Sequence, residues 1–204
     1  MTRLPSSPAC ERNRDPILAV LRKYFADRTH VLEIGSGTGQ HAEYFAAALP
    51  HLHWQATERP EHLPDLRARL AAAGLSNAPE PLALDVNDDT WPAGRYDALF
   101  SANTLHIMSW SEVERLFAGI GGLLAGDARV VIYGPFNYGG RFTSGTNAAF
   151  DAWLKDQAPH RGIRGFESVD ALARAAGFHL EADIAMPANN RCLAWSRQAA
   201  GAPA

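Results

Sequence analysis

Short apolar runs alternate along this chain with longer stretches in which apolar residues recur at helical spacing. Runs of this length that end at a turn or a polar residue are typical of strands buried in a parallel sheet. They predict strands at 30–34, 52–57, 81–86, 96–102, 129–135, 178–186 and 191–197. Turn residues at 187–190 join the last two strands as a hairpin.

The stretches between the runs predict amphipathic helices that cover both faces of this sheet. Asp15 followed by Pro16 is a helix cap with proline at the first helical position, whereas residues 6–14 show no apolar periodicity. We therefore predict one α/β domain over 1–204, with an arm or lid at 1–14 and a core at 15–204. The predicted helices lie at 15–25, 42–49, 64–74, 148–157 and 168–176, with a further one from Ser109 or Ser111 to 123.

Composition and charge narrow the possible partners. The chain has 204 residues, 47% hydrophobic content, a formal net charge of −3 and 19 scattered Lys and Arg. A nucleic-acid-binding domain would carry a basic patch, and a membrane span would need roughly 18 consecutive apolar residues, so neither partner is predicted. Cys10 and Cys192 form no disulfide framework, and neither they nor His51 and His53 have metal-ligand spacing. We expect no metal, and a reducing cytoplasmic location.

A glycine loop follows the first strand, with Gly35, Gly37 and Gly39 at alternate positions before a predicted helix. Such a loop brings main-chain N–H groups close to a nucleotide-like ligand at a helix N-terminus. A dinucleotide fingerprint places its third glycine one residue later, where this chain has Gln40. Glu33, before the loop, is a poor neighbour for a pyrophosphate and a good one for a cationic sulfonium. The loop therefore favours S-adenosylmethionine over NAD, and a simple packing turn is the alternative.

Acidic residues end the second and third predicted strands. Glu58 follows the glycine loop by about 20 residues, the position from which a carboxylate accepts hydrogen bonds from both ribose hydroxyls. Asp85 is expected to accept a hydrogen bond from the adenine amine while Val86 packs on the ring. An acid at a single strand end is also a common helix cap. A cofactor site is favoured because three acids, Glu33, Glu58 and Asp85, stand at the ends of three successive strands.

Asn103 and His106 follow the fourth strand, at the sheet edge that faces the ligand crevice of an open α/β sheet. His106 is our candidate general base for a hydroxyl or phenol, because the unperturbed pKa of histidine lies near working pH. Its alternative is a structural histidine. In the arm, Arg12 and Arg14 are candidate partners for the cofactor's carboxylate, and the alternative is an ordinary solvated arm.

With these residues the chain resembles the class I S-adenosylmethionine-dependent methyltransferases, and more narrowly the methyltransferase-like 26 group. The residues that carry the resemblance are Ser7-Pro8-Ala9 with Arg12-Asn13, Leu32-Glu33-Ile34, Ser36-Gly37-Thr38-Gly39-Gln40-His41-Ala42, Leu84-Asp85-Val86, Asn103 with His106-Ile107, Tyr133-Gly134-Pro135-Phe136, Thr143-Ser144, Asn147, Phe150-Asp151, Gly162-Ile163-Arg164 and Met186-Pro187-Ala188-Asn189-Asn190.

The resemblance implies a Rossmann-like fold with a seven-stranded sheet in the order 3-2-1-4-5-7-6 and strand 7 antiparallel. It also implies S-adenosyl-L-methionine as cofactor and S-adenosyl-L-homocysteine as product. Two positions depart from the family pattern, namely Glu58 in place of Asp, and Gly165 in place of an acid. The family supplies no secure methyl acceptor.

Two sets of site residues are predicted. The cofactor set is Arg12, Asn13, Glu33, Gly35, Ser36, Gly37, Thr38, Gly39, Gln40, His41, Glu58, Asp85, Val86 and Asn103. The acceptor set is His106, Tyr133, Phe136, Asn147 and Asn189, with His106 and Asn103 as the catalytic pair.

The expected reaction is methyl transfer to an oxygen, sulfur or nitrogen of a small molecule, by a monomer or a homodimer. Three other functions stay open. The first is a non-catalytic S-adenosylmethionine-binding protein or sensor. The others are an NAD-dependent oxidoreductase, which the spacing of the glycines disfavours, and an RNA methyltransferase, which the scattered basic residues disfavour.

Overall fold

A computed structural model of the protein describes residues 6–198. Its main sheet has seven strands in the order β3-β2-β1-β4-β5-β9-β8, and β9 runs antiparallel to both of its neighbours. This confirms the predicted strand order and the antiparallel seventh strand. The strands are β1 His30–Ile34, β2 His53–Glu58, β3 Leu82–Ala83, β4 Tyr96–Ala102, β5 Leu124–Gly134, β6 Phe136–Asn137, β7 Arg164–Gly165, β8 His179–Met186 and β9 Asn190–Ser196. Strands β6 and β7 pair with each other outside the main sheet.

Helices cover both faces of the sheet. They are α1 Pro8–Tyr24, α2 Gln40–Ala48, α3 Leu63–Ala73, α4 Trp110–Leu123, α5 Gly145–Gln157 and α6 Phe166–Ala175. Helices α1, α2 and α3 enclose one buried cluster around Phe45 and Trp54, and α4 and α6 enclose a second around Phe117 and Trp195. No helix among residues 6–198 is both long and apolar enough to cross a lipid bilayer.

Strand β1 shows why apolar residues stand at consecutive positions in its sequence. Val31 packs into the first cluster and Leu32 into the second, and both side chains are completely buried. Successive side chains of a strand point to opposite faces, so a strand with helices on both sides needs apolar residues at consecutive positions.

The first helix starts earlier than predicted. Helix α1 begins at Pro8, and Pro16 lies inside it instead of opening it. The inward face of the first turns includes Cys10 and Asn13, both buried. Because Asn13 is polar, it interrupts the apolar periodicity that marks a buried helix face. The helix start was therefore wrongly predicted at Asp15, and residues 8–14 were assigned to an arm.

Other boundaries also differ from the predictions; β5, for example, begins at Leu124 and not at residue 129. Strand β3 pairs over two residues because the Asp85 carboxylate accepts a hydrogen bond from the Asn87 N–H (2.9 Å) and turns the chain. Ser168 does not cap α6, since the helix follows directly from Gly165, which is still paired in β7. Ser109, and not Ser111, caps α4, in a capping box with Glu112.

Candidate active site

A cavity of about 830 Å³ lies at the carboxyl ends of β1, β2, β3 and β4. This is the edge at which ligands bind in open α/β sheets, and the volume is in the range of small-molecule sites. The cavity is lined by Ser7, Ala9, Cys10, Ile34, Gly35, Ser36, Gly37, Thr38, Gln40, His41, Glu58, Arg59, His62, Leu84, Asp85, Val86, Asn87, Ala102, Asn103, Thr104, Ile107, Met108, Ser109, Glu112, His160 and Arg161.

The glycine loop forms one wall of this cavity. Gly35, Gly37 and Gly39 have φ angles of 71°, 57° and 80°, in the left-handed region that favours glycine. A Cβ atom at Gly35 would lie 2.7 Å from the Thr104 hydroxyl oxygen, and nothing lies within 4 Å of a Cβ placed at Gly37. The loop therefore packs closely against the segment after β4 and leaves open space at its tip, where a ligand fits.

Glu58, at the end of β2, holds the tip of the loop. Its carboxylate accepts hydrogen bonds from the Gly37 N–H (2.6 Å) and from the Arg59 N–H (2.9 Å). A carboxylate has about four acceptor positions, so two bonds leave capacity for hydroxyl groups in the cavity. The side chain is 9% exposed, which places this acceptor in a largely desolvated position.

Asp85 lies beyond β3 in the same wall. Its carboxylate pairs with the Arg59 guanidinium (2.8 Å) and accepts hydrogen bonds from Asn87. Burial alone would raise the pKa of Asp85, but the Asn87 N–H and the charge of Arg59 outweigh it and hold that pKa below its ordinary value. Asp85 is therefore an ionised acceptor at the cavity surface.

Glu33 does not line the cavity. Its buried carboxylate accepts a hydrogen bond from the Trp54 indole N–H (2.8 Å). Burial, aided by the negative charge of Glu58, raises the pKa of Glu33 to about 7, although hydrogen bonds from Trp54 and Ser36 oppose the rise. Glu33 is therefore partly protonated at neutral pH. Its carboxylate points away from the cavity lining, so its predicted part in cofactor binding stays a prediction.

The segment after β4 separates the two residues predicted for catalysis. Asn103 lines the cavity with a φ angle of 58°, and its N–H bonds to the Tyr133 carbonyl (2.8 Å). His106 is 6% exposed, is not part of the lining, and packs edge-on against Phe150 with ring centroids 5.4 Å apart.

The environment of His106 also changes its expected titration. Burial, with smaller contributions from the charges of Arg164 and Arg161, lowers the pKa of His106 to about 4. The expectation of a pKa near neutrality was therefore wrong, because it used the value of a solvated imidazole. The ring is neutral at working pH.

The N-terminal turn of α1 closes part of the cavity. Ala9 and Cys10 line it, and the Ser7 N–H bonds to the Gln40 side-chain oxygen (2.5 Å). Asn13 lies just behind the lining, where its side-chain oxygen contacts the His41 ring nitrogen (2.8 Å). Arg12 is exposed and not part of the lining, so its predicted role at the cofactor's carboxylate stays a prediction.

Two groups beside this turn are held uncharged by burial. Burial raises the pKa of the Cys10 thiol to about 12, with the charge of Glu33 adding to the shift, and lowers the pKa of His41 to about 4. Cys10 is thus a protonated thiol and not a reactive thiolate.

The remaining predicted acceptor residues lie outside the cavity lining. Phe136 is buried, and the buried Tyr133 hydroxyl interacts with Asn13 and Asn190. The Asn147 amide donates to the Asn189 carbonyl (3.1 Å), and so ties the start of α5 to the turn before β9. These residues support the walls around the site.

Sequence reasoning missed several lining residues. Arg59, Asn87 and Glu112 stand directly beside recognised positions, and His160 and Arg161 come from the segment between α5 and β7. None of these five residues belongs to a motif with a chemical signature. For Arg59, Asn87 and Glu112, the one available signal was their closeness in sequence to Glu58, Asp85 and Ser109. Among the described residues, no group of three His, Cys, Asp or Glu side chains is arranged to hold a metal ion.

Comparisons with known proteins give the family of this chain and several similar folds. The profile of a family described as "Protein of unknown function (DUF938)" matches residues 4–197. The S-adenosylmethionine-dependent methyltransferase SibL, solved in its apo form, is similar with a TM-score of 0.78 and 26% identity, over 93% of this chain and 56% of that chain.

Two other solved structures are similar in fold. The mitomycin 7-O-methyltransferase MmcR has a TM-score of 0.74 and 22% identity, over 85% of this chain and 50% of that chain. PigF, solved with SAH, has a TM-score of 0.76 and 18% identity, over 89% of this chain and 55% of that chain. The chain thus spans about half the length of the solved structures it matches. By its sequence, this chain belongs to the DUF938 family of proteins of unknown function.

Proposed function

We propose that this protein transfers the methyl group of S-adenosylmethionine to an oxygen, sulfur or nitrogen atom of a small molecule. The observation that carries the proposal is one cavity whose wall combines the open tip of a glycine loop with Glu58 and Asp85. The likeness to SibL and other methyltransferases and the resemblance to the methyltransferase-like 26 group support it. A cytoplasmic location and a monomer or homodimer remain part of the proposal.

The cavity wall fits the chemistry of this cofactor. Glu58 has free acceptor capacity toward a ribose diol, and ionised Asp85 can accept from an adenine amine, with Val86 beside it as an apolar surface. The space at Gly37 and the turn at Ala9 and Cys10 would enclose the methionine end. The bound cofactor supplies a methyl group already activated by the sulfonium.

The protein then has to align an acceptor and exclude water. The first turn of α1 lines the cavity and would exclude water from it. Asn103 also lines the cavity, and its side-chain amide could hydrogen-bond to the acceptor. A thiol or amine that ionises by itself needs no base. For a hydroxyl acceptor we propose His106, whose neutral ring can accept a proton after its side chain turns from Phe150 toward the cavity.

Calorimetry with S-adenosylmethionine, S-adenosylhomocysteine and NAD tests the cofactor. We expect the first two to bind and NAD not to bind. Binding of NAD with comparable strength would overturn the proposal in favour of an oxidoreductase.

A second measurement separates an enzyme from a sensor. S-adenosylhomocysteine formed in the presence of a panel of small phenols, thiols and amines is quantified by mass spectrometry, with Glu58→Ala as the matched inactive variant. Tight cofactor binding without product from any acceptor would favour the non-catalytic sensor.

A further inference from the structure

Arg161 is a cation in the cavity wall with no acidic partner among the residues that the structure describes. It lines the cavity beside Ile107 and Met108. Within residues 6–198 its guanidinium takes part in no ion pair, and its Nε is buried without a hydrogen-bond partner. A buried N–H that is left unpaired costs free energy unless a ligand or water satisfies it, so this group is poised to donate.

The segment that carries Arg161 is fixed to the segment after β4. The Gly162 N–H bonds to the His106 carbonyl (3.0 Å), and the Arg164 guanidinium donates to the carbonyls of Leu105 (3.0 Å), His160 (2.9 Å) and Met108. The Ile163 N–H bonds to the Asp151 carboxylate (2.7 Å). Arg161 therefore enters the cavity wall from a backbone that is fixed both to the segment after β4 and to α5.

The other charges of the wall are already balanced in part. Asp85 pairs with Arg59, and the Glu58 and Glu112 carboxylates accept backbone N–H groups. With three carboxylates in the wall, a dianionic phosphate would be repelled more strongly than a monoanion. Arginine binds a carboxylate through two parallel N–H groups, which gives both affinity and orientation.

We propose that Arg161 binds a carboxylate group on the methyl acceptor. The acceptors are then small hydroxy, mercapto or amino acids, and not neutral phenols or thiols. This inference rests on the proposed function. Its main rival is that Arg161 binds the carboxylate of S-adenosylmethionine itself, and the test separates the two.

The test measures binding of matched acids and amides by ligand-observed NMR and calorimetry. The probes are 4-hydroxybenzoate with 4-hydroxybenzamide, and 3-mercaptopropionate with 3-mercaptopropionamide, each added to the full chain with and without saturating S-adenosylhomocysteine. The variants are Arg161→Gln, Arg161→Lys, and Arg67→Gln as the control. Arg67 lies on α3, is about half exposed and pairs with Glu80 outside the cavity.

We expect wild type and Arg67→Gln to bind at least one acid about 10-fold or more tightly than its amide, because a charged hydrogen-bonding pair is lost with the amide. Arg161→Gln should abolish this preference, and Arg161→Lys should keep part of it. Affinity for S-adenosylmethionine and the unfolding midpoint should stay as in wild type.

Three results would overturn the proposal. They are no acid binding by wild type, an unchanged preference in Arg161→Gln, and a loss of S-adenosylmethionine affinity in Arg161→Gln without loss of the acid preference. The last result would assign Arg161 to the cofactor's carboxylate. Failure of the proposed function would give a different result, namely that wild type does not bind S-adenosylmethionine. The preference for the acid over the amide can still be measured in that case, because it is also measured without the cofactor.

Discussion

Replacing Glu58 with Gln tests the cofactor site at the point where loop and ligand meet. The carboxylate accepts from two main-chain donors, Gly37 N–H and Arg59 N–H. A glutamine amide has one acceptor oxygen and one donor nitrogen, so either orientation of the amide leaves one of these N–H groups facing another donor. A bound ribose would at the same time lose its charged acceptor.

The expected magnitude follows from these contacts. Hydrogen bonds to a charged group contribute about 1.5–3 kcal/mol each, and we expect the loss of one such bond from the complex. Affinity for S-adenosylmethionine should fall by roughly 10- to 150-fold, at about 1.4 kcal/mol for each factor of ten. Calorimetric titration at neutral pH measures this directly.

Glu61→Gln is the matched control. Glu61 pairs with Arg59 at 3.4 Å, but its side chain is 55% exposed and lies outside the cavity lining, so its loss should change affinity little. The free energy of unfolding of both variants, measured without ligand, shows whether the loop itself has been weakened. A Glu58→Gln variant that binds S-adenosylmethionine within twofold of wild type would refute the assignment of Glu58 to the ribose.

Four other predictions use different parts of the structure, and two of them concern His106. Between pH 6.5 and 4 the unfolded chain binds a proton at His106 that the folded chain excludes, so lowering the pH through this range should reduce the free energy of unfolding of wild type by up to about 1.4 kcal/mol per pH unit more than that of His106→Gln. Denaturation series at several pH values measure these slopes, and equal slopes contradict the buried neutral ring. If His106 also serves as a base, the acid limb of the pH–rate profile lies near pH 4 and vanishes in that variant. Gly35→Ala should lower the free energy of unfolding by about 1–3 kcal/mol, since the new Cβ lies 2.7 Å from Thr104 at a positive φ, whereas Gly122→Ala, with nothing within 4 Å, should be neutral or stabilising. Hydrogen exchange of residues 7–14 should slow when S-adenosylmethionine is added, because Cys10 lines the cavity; an equal rate with and without ligand would rule out a lid.

The sequence predicted the sheet well because its signals are local and periodic. The apolar residues Val31, Leu32 and Ile34 have few alternatives to a strand once both of its faces are buried. The positions of Glu58 and Asp85 at strand ends followed from the same reasoning, since parallel strands bring their carboxyl ends to one edge. The predicted length of strand β3 was too great. It is an edge strand with few hydrogen-bond partners, and it ends at a turn that the Asp85 carboxylate stabilises.

Side-chain direction in loops was beyond sequence reasoning. His106 lies in such a loop after β4, and its side chain packs against Phe150 outside the cavity lining. Glu33 lies in strand β1, and its side chain also points away from the lining, toward Trp54. In a loop with a left-handed residue such as Asn103, the spacing along the chain does not determine which way a side chain points. Arg161 was missed for a different reason, since its place in the wall depends on tertiary contacts of its neighbours.

The antiparallel direction of β9 gives the two ends of the described chain different surroundings. Arg191 pairs with Gly134 at the edge that holds the cavity, whereas Ser196 pairs with Arg129 and Arg197 bonds to Ala128 at the opposite edge. Ser7, in contrast, stands in the cavity wall. A fluorescent group attached at Arg197 would therefore lie at the sheet edge opposite the cavity, whereas the same group attached at Ser7 would lie in the cavity wall.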